Sequence, residues 1–327
     1  MKKVIELVLC SALLGTILLG CGGESHEADN IKQEQNLEDN TVVEDREVTF
    51  IDDFGREVVV NHPQRVITLT SSFSDIWYVA GGIDTLVATT NATWTYFDLP
   101  LREDIVNLGS SKQLNLEQII ACEPDLILAS CGTDRNVELE SAFEEMGMNV
   151  AYFSVNDFED YLRVLKVCTD ITGCEENYEL YGTNVQVEVE NALKRADGSS
   201  PSVLYIRATG SSCKVKNSKD TVLGEMLANM DCENIADTEE SLLEQLSMEV
   251  ILASDPEYIF VVLQSANPAD AEEILESTLL SNPAWATLSA VKEGRYYIMD
   301  QNLYNLKPNA RWGEAYEQLA DILYPME

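Results

Sequence analysis

The sequence contains few histidines and few basic residues for its size. Its 327 residues include two histidines, His26 and His62, and 21 lysines and arginines against 57 aspartates and glutamates. Two isolated histidines cannot supply the several imidazole ligands of a transition-metal site, so we expect no metal site and no bare metal ion as ligand. The formal net charge of −36 repels nucleic acid, which excludes a nucleic-acid partner.

Sequence signatures of catalysis are also missing. The chain has no G-x-S-x-G, H-E-x-x-H or Walker loop, and no metal-type C-x-x-C pair. Gly-Ser-Ser occurs twice, at residues 109–111 and 210–212, but a serine nucleophile needs a base that the chain does not offer. We therefore predict no enzymatic activity and no cofactor, with an extracellular enzyme or an adhesin as the alternative class.

The one long apolar run lies at the N-terminus. Lys2 and Lys3 precede apolar residues 7–19, a run as long as a signal-peptide core and too short to span a membrane comfortably. The run ends in Leu18-Leu19-Gly20-Cys21, which is similar to a bacterial lipobox. We expect residues 1–20 to be a lipoprotein signal peptide and Cys21 to be lipidated, which anchors the chain outside the cell membrane. An ordinary secretory signal with a chance cysteine is the alternative.

Residues 21–47 are rich in acidic and amide side chains and poor in aromatics, which predicts a disordered acidic tether. The remaining chain, about 280 residues, suits two lobes better than one core. Six further cysteines leave open whether an exported chain forms disulfides.

Alternating strand and helix patterns predict an α/β fold with parallel sheets. Apolar runs favour strands at residues 66–69, 126–129, 150–153, 203–206, 258–262 and 296–299. A proline-free helical pattern at residues 175–196 separates the two series. We predict two Rossmann-like lobes, residues 48–173 and 199–327, joined by a single long helix within residues 174–198.

An internal repeat supports two related lobes. Residues 114–125 align without gaps to residues 246–257, and each copy reads as a capped helix, an acidic residue with a proline, and a strand. Asn115 and Ser247 are favourable N-caps, and the proline ends each helix before the strand.

These features, taken in order, resemble the ABC-importer binding proteins that carry ferric siderophores, haem or cobalamin, in which a rigid helix joins two Rossmann-like lobes. The resemblance covers residues 47–325. It depends on the repeated L-x-x-E helix and on four short segments, at residues 53–56, 63–69, 282–285 and 290–295.

The resemblance implies a permease dimer as partner and a monomeric binding protein. In the family, one glutamate on each lobe docks onto permease arginines, and the matching positions are Glu117 and Glu249. The alternative is that both are first-turn glutamates favoured by the helix dipole.

We expect the ligand between the lobes, at the carboxyl ends of the strands. The expected contacts are aromatic faces, cations and polar side chains: Ser72, Trp94, Tyr96, Lys112, Arg207, Lys214, Lys216, Asn302 and Tyr304. The basic cluster after one strand favours an anionic ferric siderophore, and the aromatic residues keep haem or cobalamin as alternatives. Each aromatic could instead pack within its lobe, and each lysine could be simply solvated.

Overall fold

The computed structural model describes residues 47–219, 221–265 and 267–326. The predicted signal peptide, Cys21, His26 and all but the last residue of the predicted tether lie outside these residues. Within them, no helix is both long and apolar enough to cross a membrane. The six cysteines in this part of the chain are free thiols.

The N-terminal lobe contains a hairpin and a parallel sheet. The antiparallel hairpin pairs β1 (Glu47–Ile51) with β2 (Glu57–Asn61). The sheet strands are β3 (Val66–Thr68), β4 (Leu86–Thr89), β5 (Val106–Asn107), β6 (Leu126–Ser130) and β7 (Val150–Phe153). They are parallel in the order β5-β4-β3-β6-β7. The central strands are buried on both faces, which explains their nearly unbroken apolar sequences.

The C-terminal lobe repeats this plan with one reversed strand. Its strands are β8 (Ser202–Thr209), β9 (Cys213–Lys216), β10 (Glu233–Asn234), β11 (Tyr258–Gln264) and β12 (Tyr296–Met299). Four of them are parallel in the order β10-β8-β11-β12, and β9 pairs antiparallel with β8. All six predicted strands are present, whereas the sequence patterns missed the hairpin, β4, β5, β9 and β10.

Helices connect the strands and cover the sheets. Those of the N-terminal lobe are α1 (Ser71–Val79), α2 (Ala92–Tyr96), α3 (Leu116–Ala121), α4 (Asp134–Glu138), α5 (Glu140–Glu145) and α6 (Phe158–Thr172). The connecting segment contains α7 (Glu175–Tyr178) and α8 (Asn184–Leu193). The C-terminal lobe has α9 (Val222–Asn229), α10 (Ser241–Glu244), α11 (Met248–Ser254), α12 (Pro268–Leu275), α13 (Ser289–Lys292), α14 (Gln301–Tyr304) and α15 (Trp312–Leu323).

The predicted linking helix is present and contains a π-helical turn. The turn, Glu179–Thr183, joins α7 to α8 without leaving helical backbone angles. Gly182 is buried in this turn, and a Cβ built on it would come within 3.4 Å of the side chains of Leu162 and Leu165. A side chain larger than that of alanine would not fit here unless these side chains or the linking helix moved.

One apolar cluster extends through both lobes and the linking helix. It includes Val66 of β3, Leu165 of α6, Val189 of α8, Phe260 of β11 and Trp312 of α15. The opposite face of each sheet has a separate cluster under its own helices. The linking helix and α15 therefore pack into a core that the two lobes share.

A polar contact also joins the lobes. Asn309, fully buried in the segment before α15, donates from Nδ2 to the Ser72 carbonyl oxygen at 3.0 Å and to Asp75 Oδ2 at 2.7 Å. Its φ of 53° lies in the left-handed region, which asparagine tolerates better than most residues. Through this side chain the C-terminal lobe is hydrogen-bonded to α1 of the N-terminal lobe.

The sequence repeat corresponds to a structural repeat. Asn115 caps α3 by accepting from the Glu117 N–H at 2.8 Å, and Ser247 caps α11 by accepting from the Val250 N–H at 3.4 Å. The equivalent residues Glu123 and Asp255 both follow their helix with positive φ, 47° and 38°. The two copies thus share the cap and the backbone reversal that leads into β6 and β11.

Candidate ligand cleft

A cleft of about 650 Å³, here called the main cleft, lies between the lobes where the parallel strands end. The N-terminal lobe contributes residues 70–73, 90, 92, 111, 130–133 and 154–156, and the C-terminal lobe contributes residues 207, 221, 222, 264 and 305–307. Most of these segments directly follow a strand. This is the crevice that the expected topology predicts for a ligand.

The walls of the main cleft are largely polar. Serine and threonine hydroxyls come from the ends of β3, β4, β6 and β7, and the only aromatic side chain among the described lining residues is Phe73. Three buried polar atoms on these walls have no hydrogen-bond partner among the described residues: Thr70 Oγ1, Thr90 Oγ1 and Arg207 Nε. Buried polar atoms are rarely left unpaired, so these atoms are available to a ligand or to water.

The main cleft is electropositive although the protein is strongly acidic. Arg207 and Lys307 line it, and none of its described lining residues carries a carboxylate. Two helices, α1 and α9, also begin at its wall, with Ser71 and Val222 as their first residues. The free N–H groups and the dipole of a helix N-terminus favour a negative charge. The cleft is therefore suited to an anion.

Arg207 is held by an aromatic neighbour on its own strand. Its Nη2 donates to the Tyr205 hydroxyl at 3.1 Å, and its guanidinium carbon lies 5.9 Å from the centre of the Tyr205 ring. Lys214 on β9 is paired with Arg207, and Lys216 is paired with Tyr205. Burial lowers the pKa of Lys216, and the charges of Arg207 and Lys214 lower it further. The predicted basic cluster is thus one face of the β8–β9 hairpin.

Lys307 is a functional candidate that the sequence patterns missed. It is partly buried, and it has no hydrogen bond or ion pair with any residue that the structure describes. Burial lowers its pKa to about 8; Asp160 and Asp157 oppose this shift, and Arg207 adds to it. An ammonium that is desolvated without a partner is well placed to meet an anionic ligand.

A buried hydroxyl network lies beneath the N-terminal wall. Thr68, Ser74, Thr89 and Thr93 are fully buried and joined by hydrogen bonds of 2.6–3.2 Å. These bonds connect β3, β4, α1 and α2. They fix the segments that present the wall hydroxyls, so the wall is rigid before a ligand arrives.

A second cavity of about 220 Å³, here called the side cavity, lies at the lobe junction. Its lining comprises residues 75, 78 and 96–99 of the N-terminal lobe and residues 302, 307, 308, 310 and 311 of the C-terminal lobe. Lys307 lines both cavities. Burial raises the pKa of Asp75 to about 6, against the hydrogen bond from Asn309 and the charge of Arg311.

The predicted contact residues separate into three groups. Ser72 and Arg207 line the main cleft, and Tyr96 and Asn302 line the side cavity. Five residues lie outside the described lining of both cavities: Trp94, Lys112, Lys214, Lys216 and Tyr304. Of these, Trp94, Lys112 and Lys214 are exposed.

The expectation that Tyr304 offers a ring to the ligand is wrong. Tyr304 is fully buried in the shared core, and its hydroxyl donates to the Ala315 carbonyl oxygen at 2.9 Å. It stabilises the contact between α14 and α15. Tyr304 therefore packs within its lobe, which was the alternative interpretation for each aromatic residue.

Several cleft segments were not predicted. Residues 130–133 and 154–156 follow β6 and β7, both of which the sequence patterns located, so strand position alone could have indicated them. Lys307 lies five residues after Asn302, which was expected at the cleft. Within the described residues, no cluster of three or more His, Cys, Asp or Glu side chains could hold a metal ion.

Comparison with known proteins assigns the chain to a family. The family model described as "Periplasmic binding protein" matches residues 66–303, which is most of the chain. The protein belongs to this family. The family consists of solute-binding proteins.

Relatives and solved structures agree with this assignment. The uncharacterized ABC transporter substrate-binding lipoprotein YvrC of Bacillus subtilis (strain 168) is 25% identical, covering 99% of this chain and 98% of its own. The Fe(3+)-citrate-binding protein YfmC of the same organism is 23% identical, covering 90% of each chain. The crystal structure of the vitamin B12 binding protein BtuF of Vibrio cholerae has a TM-score of 0.66 at 19% identity, covering 80% of this chain and 97% of that one.

Replacing Lys307 by methionine should stabilise the ligand-free binding protein. The folded pKa of about 8 lies below the ordinary value of 10.5. The free energy of unfolding of the wild-type protein therefore increases as the pH rises from about 8 to about 10.5. Above that range the lysine is neutral in both the folded and the unfolded state, and the cost of burying its charge is gone. We expect Lys307→Met to raise the free energy of unfolding by about 2 kcal/mol at pH 7.

Urea denaturation at pH 7 and at pH 10 measures this effect. The difference between the variant and the wild type should shrink at the higher pH, while the exposed control Lys292→Met should change little at either pH. A Lys307→Met variant that is less stable than the wild type at pH 7 would contradict the description of this ammonium as unpaired.

Proposed function

We propose that this protein is the extracytoplasmic solute-binding component of an ABC importer and that its main cleft captures an anionic ferric chelate of the siderophore type. The observation that carries the proposal is the charge of the cleft. Arg207, Lys307 and the N-termini of α1 and α9 meet there, in a protein whose formal net charge is −36. Many hydroxyl groups around these charges suit an oxygen-rich ligand.

The same walls favour such a chelate over haem or cobalamin. Porphyrin and corrin rings present broad apolar faces, and Phe73 is the only aromatic side chain among the described lining residues. No tyrosine, histidine or methionine that could ligate haem iron is among them. Cys131 lines the cleft, but burial raises its pKa to about 11, so it is a neutral thiol at pH 7. The relative named for Fe(3+)-citrate fits this choice.

Catalysis is not part of the proposal. Hydroxyl groups are plentiful in the main cleft, but no histidine is among its described lining residues, and a serine without a base is a weak nucleophile. No carboxylate that could act as a general base is among those lining residues either. Membership of a solute-binding family supports the same conclusion.

Removing either cation from the main cleft should weaken chelate binding. We expect Arg207→Met and Lys307→Met each to reduce the affinity for ferric citrate at least tenfold, since each removes about 1.4 kcal/mol or more of attraction to the anion. Isothermal titration of the purified protein with ferric citrate, a ferric hydroxamate, haemin and cyanocobalamin measures both affinity and ligand preference.

The control is Lys292→Met, which removes a cation from the exposed end of α13. It should bind as the wild type does. Binding of haemin or cyanocobalamin in preference to every anionic ferric chelate would refute the ligand class and favour the corresponding alternative. Equal affinity in all three variants would show that the cleft cations do not contact the ligand.

We further propose that Glu117 and Glu249 dock the protein onto a permease dimer. Both are exposed in the first turn of the repeated helices α3 and α11. Each helix packs over the outer cluster of its own lobe, through Ile119 and Ile251. Neither glutamate lines the main cleft or the side cavity. Two exposed carboxylates at equivalent positions can each accept an arginine fork from a two-fold partner.

Charge reversal tests the docking residues separately from ligand binding. The double variant Glu117→Lys, Glu249→Lys should abolish uptake of the radiolabelled chelate while the affinity of the purified protein stays unchanged. The matched control reverses one exposed glutamate on each lobe elsewhere, Glu145→Lys with Glu239→Lys, and should keep most of the uptake. Loss of chelate affinity in the docking variant would be evidence against this role.

The lipid anchor at Cys21 completes the proposal. The lipobox-like junction Leu18-Leu19-Gly20-Cys21 supports it, as do relatives named as lipoproteins. Cells given an alkyne-tagged fatty acid should label the wild-type protein, and Cys21→Ser should lose the label and release the protein from the membrane fraction. The control Cys10→Ser should label normally, and a label that persists in Cys21→Ser would place the modification elsewhere.

A further inference from the structure

The proposed function uses the main cleft and leaves the side cavity without a role. The side cavity opens at the lobe junction, between the α1–α2 region of one lobe and the segment around α14 of the other. Its volume of about 220 Å³ corresponds to about seven water molecules, which is enough for a short organic group.

Some residues that line this cavity carry hydrogen-bond acceptors without a donor among the described residues. Asn302 Oδ1 is buried and has no partner among the described residues. Asp75 accepts from Asn309 through Oδ2 only, which leaves Oδ1 without a donor among those residues. Asp98 adds an exposed carboxylate at the rim. A ligand that donates hydrogen bonds and carries a positive charge would satisfy all three.

Aromatic rings form much of the remaining wall. Tyr78, Tyr96 and Phe97 line the cavity together with Leu99 and Pro308. Aromatic faces attract an ammonium group through their quadrupole, and they also accommodate its alkyl substituents. Carboxylates beside aromatic rings form the usual environment for an organic ammonium.

The two cations of the side cavity do not oppose this use. Arg311 is engaged chiefly by Glu314, with Nε to Oε2 at 2.7 Å and Nη2 to Oε1 at 2.9 Å, and it acts on Asp75 only through its charge, without a hydrogen bond. The charged neighbours that act on Lys307 are Asp160, Arg207 and Asp157, and none of these lines the side cavity. Asp160 and Asp157 partly compensate the charge of Lys307, which lines both cavities.

We propose that the side cavity binds an organic ammonium group. Lys307 separates the side cavity from the main cleft and lines both. The ammonium can therefore belong to an amine-bearing arm of a ligand in the main cleft, or to a separate small amine. The first source rests on the proposed function; the second does not.

Titration with n-pentylammonium chloride, in the absence of any iron chelate, tests the cavity itself. The amide side-chain signals of Asn302 in ¹⁵N NMR spectra should shift on titration, and 1-pentanol and pentanoate should bind at least tenfold more weakly. Asp75→Asn should weaken pentylammonium binding at least tenfold, and the exposed control Glu103→Gln should not. Asn302→Leu, which removes the unpaired oxygen, should also weaken it if Asp75→Asn proves unstable.

Equal binding of pentanol or pentanoate, or pentylammonium binding that is insensitive to both variants, would overturn the proposal. Because this titration contains no chelate, its result is independent of whether the main cleft binds iron complexes.

A chelate comparison then identifies the source of the ammonium. The probes are the ferric complex of a linear trihydroxamate with a terminal primary amine and the same complex after N-acetylation. If the amine is an arm of the ligand, acetylation should weaken binding at least tenfold in the wild type and have no effect in Asp75→Asn. If acetylation has no effect in either and pentylammonium binds alongside the chelate, the site serves a separate amine.

Discussion

The packing of the linking helix into an apolar core shared by both lobes is the constraint on which the rest of the structure depends. Residues of both sheets, α6, α8 and α15 belong to one cluster, so neither lobe can turn about the helix without exposing apolar side chains. The main cleft is consequently a gap of nearly fixed width. Asn309 reinforces this by bonding the C-terminal lobe to α1 at the edge of the gap.

The electrostatic potential in this gap is positive, although the net charge of the protein is strongly negative. Dispersed carboxylates keep the surface acidic, whereas the described lining of the cleft contains Arg207 and Lys307 and no acid. The pKa of Lys307, lowered to about 8 by burial, shows that the ligand-free protein tolerates a poorly solvated ammonium there. The hydroxyl oxygens of Thr70 and Thr90 are likewise buried without a hydrogen-bond partner among the described residues. A site that is strained without ligand is typical of function, because the ligand relieves the strain.

Much of this architecture could be predicted from the sequence, because the signals involved are local. Strands β7 and β12 were located to the residue, since buried parallel strands are short apolar runs between turns. The side-chain contacts were harder, because they depend on where loops from two lobes meet. Arg207 was found by its position after a strand, whereas Lys307 was missed and Tyr304 was misplaced, since a ring next to a cleft segment can point equally well into the core. Burial of that kind is set by tertiary packing, which no local pattern reports.

The loop that carries Lys307 has a thermodynamic consequence for the two cavities. Residues 305–307 of this loop line the main cleft, and Lys307 also lines the side cavity. Asn309, at the end of the loop, donates the hydrogen bonds that join the lobes. A ligand in either cavity therefore contacts this loop, and the free energy of ordering the loop contributes to the binding of both ligands. Thermodynamic linkage then makes the effect reciprocal. If a ligand in one cavity changes the affinity of the other cavity for its ligand by some factor, the second ligand changes the affinity for the first by the same factor.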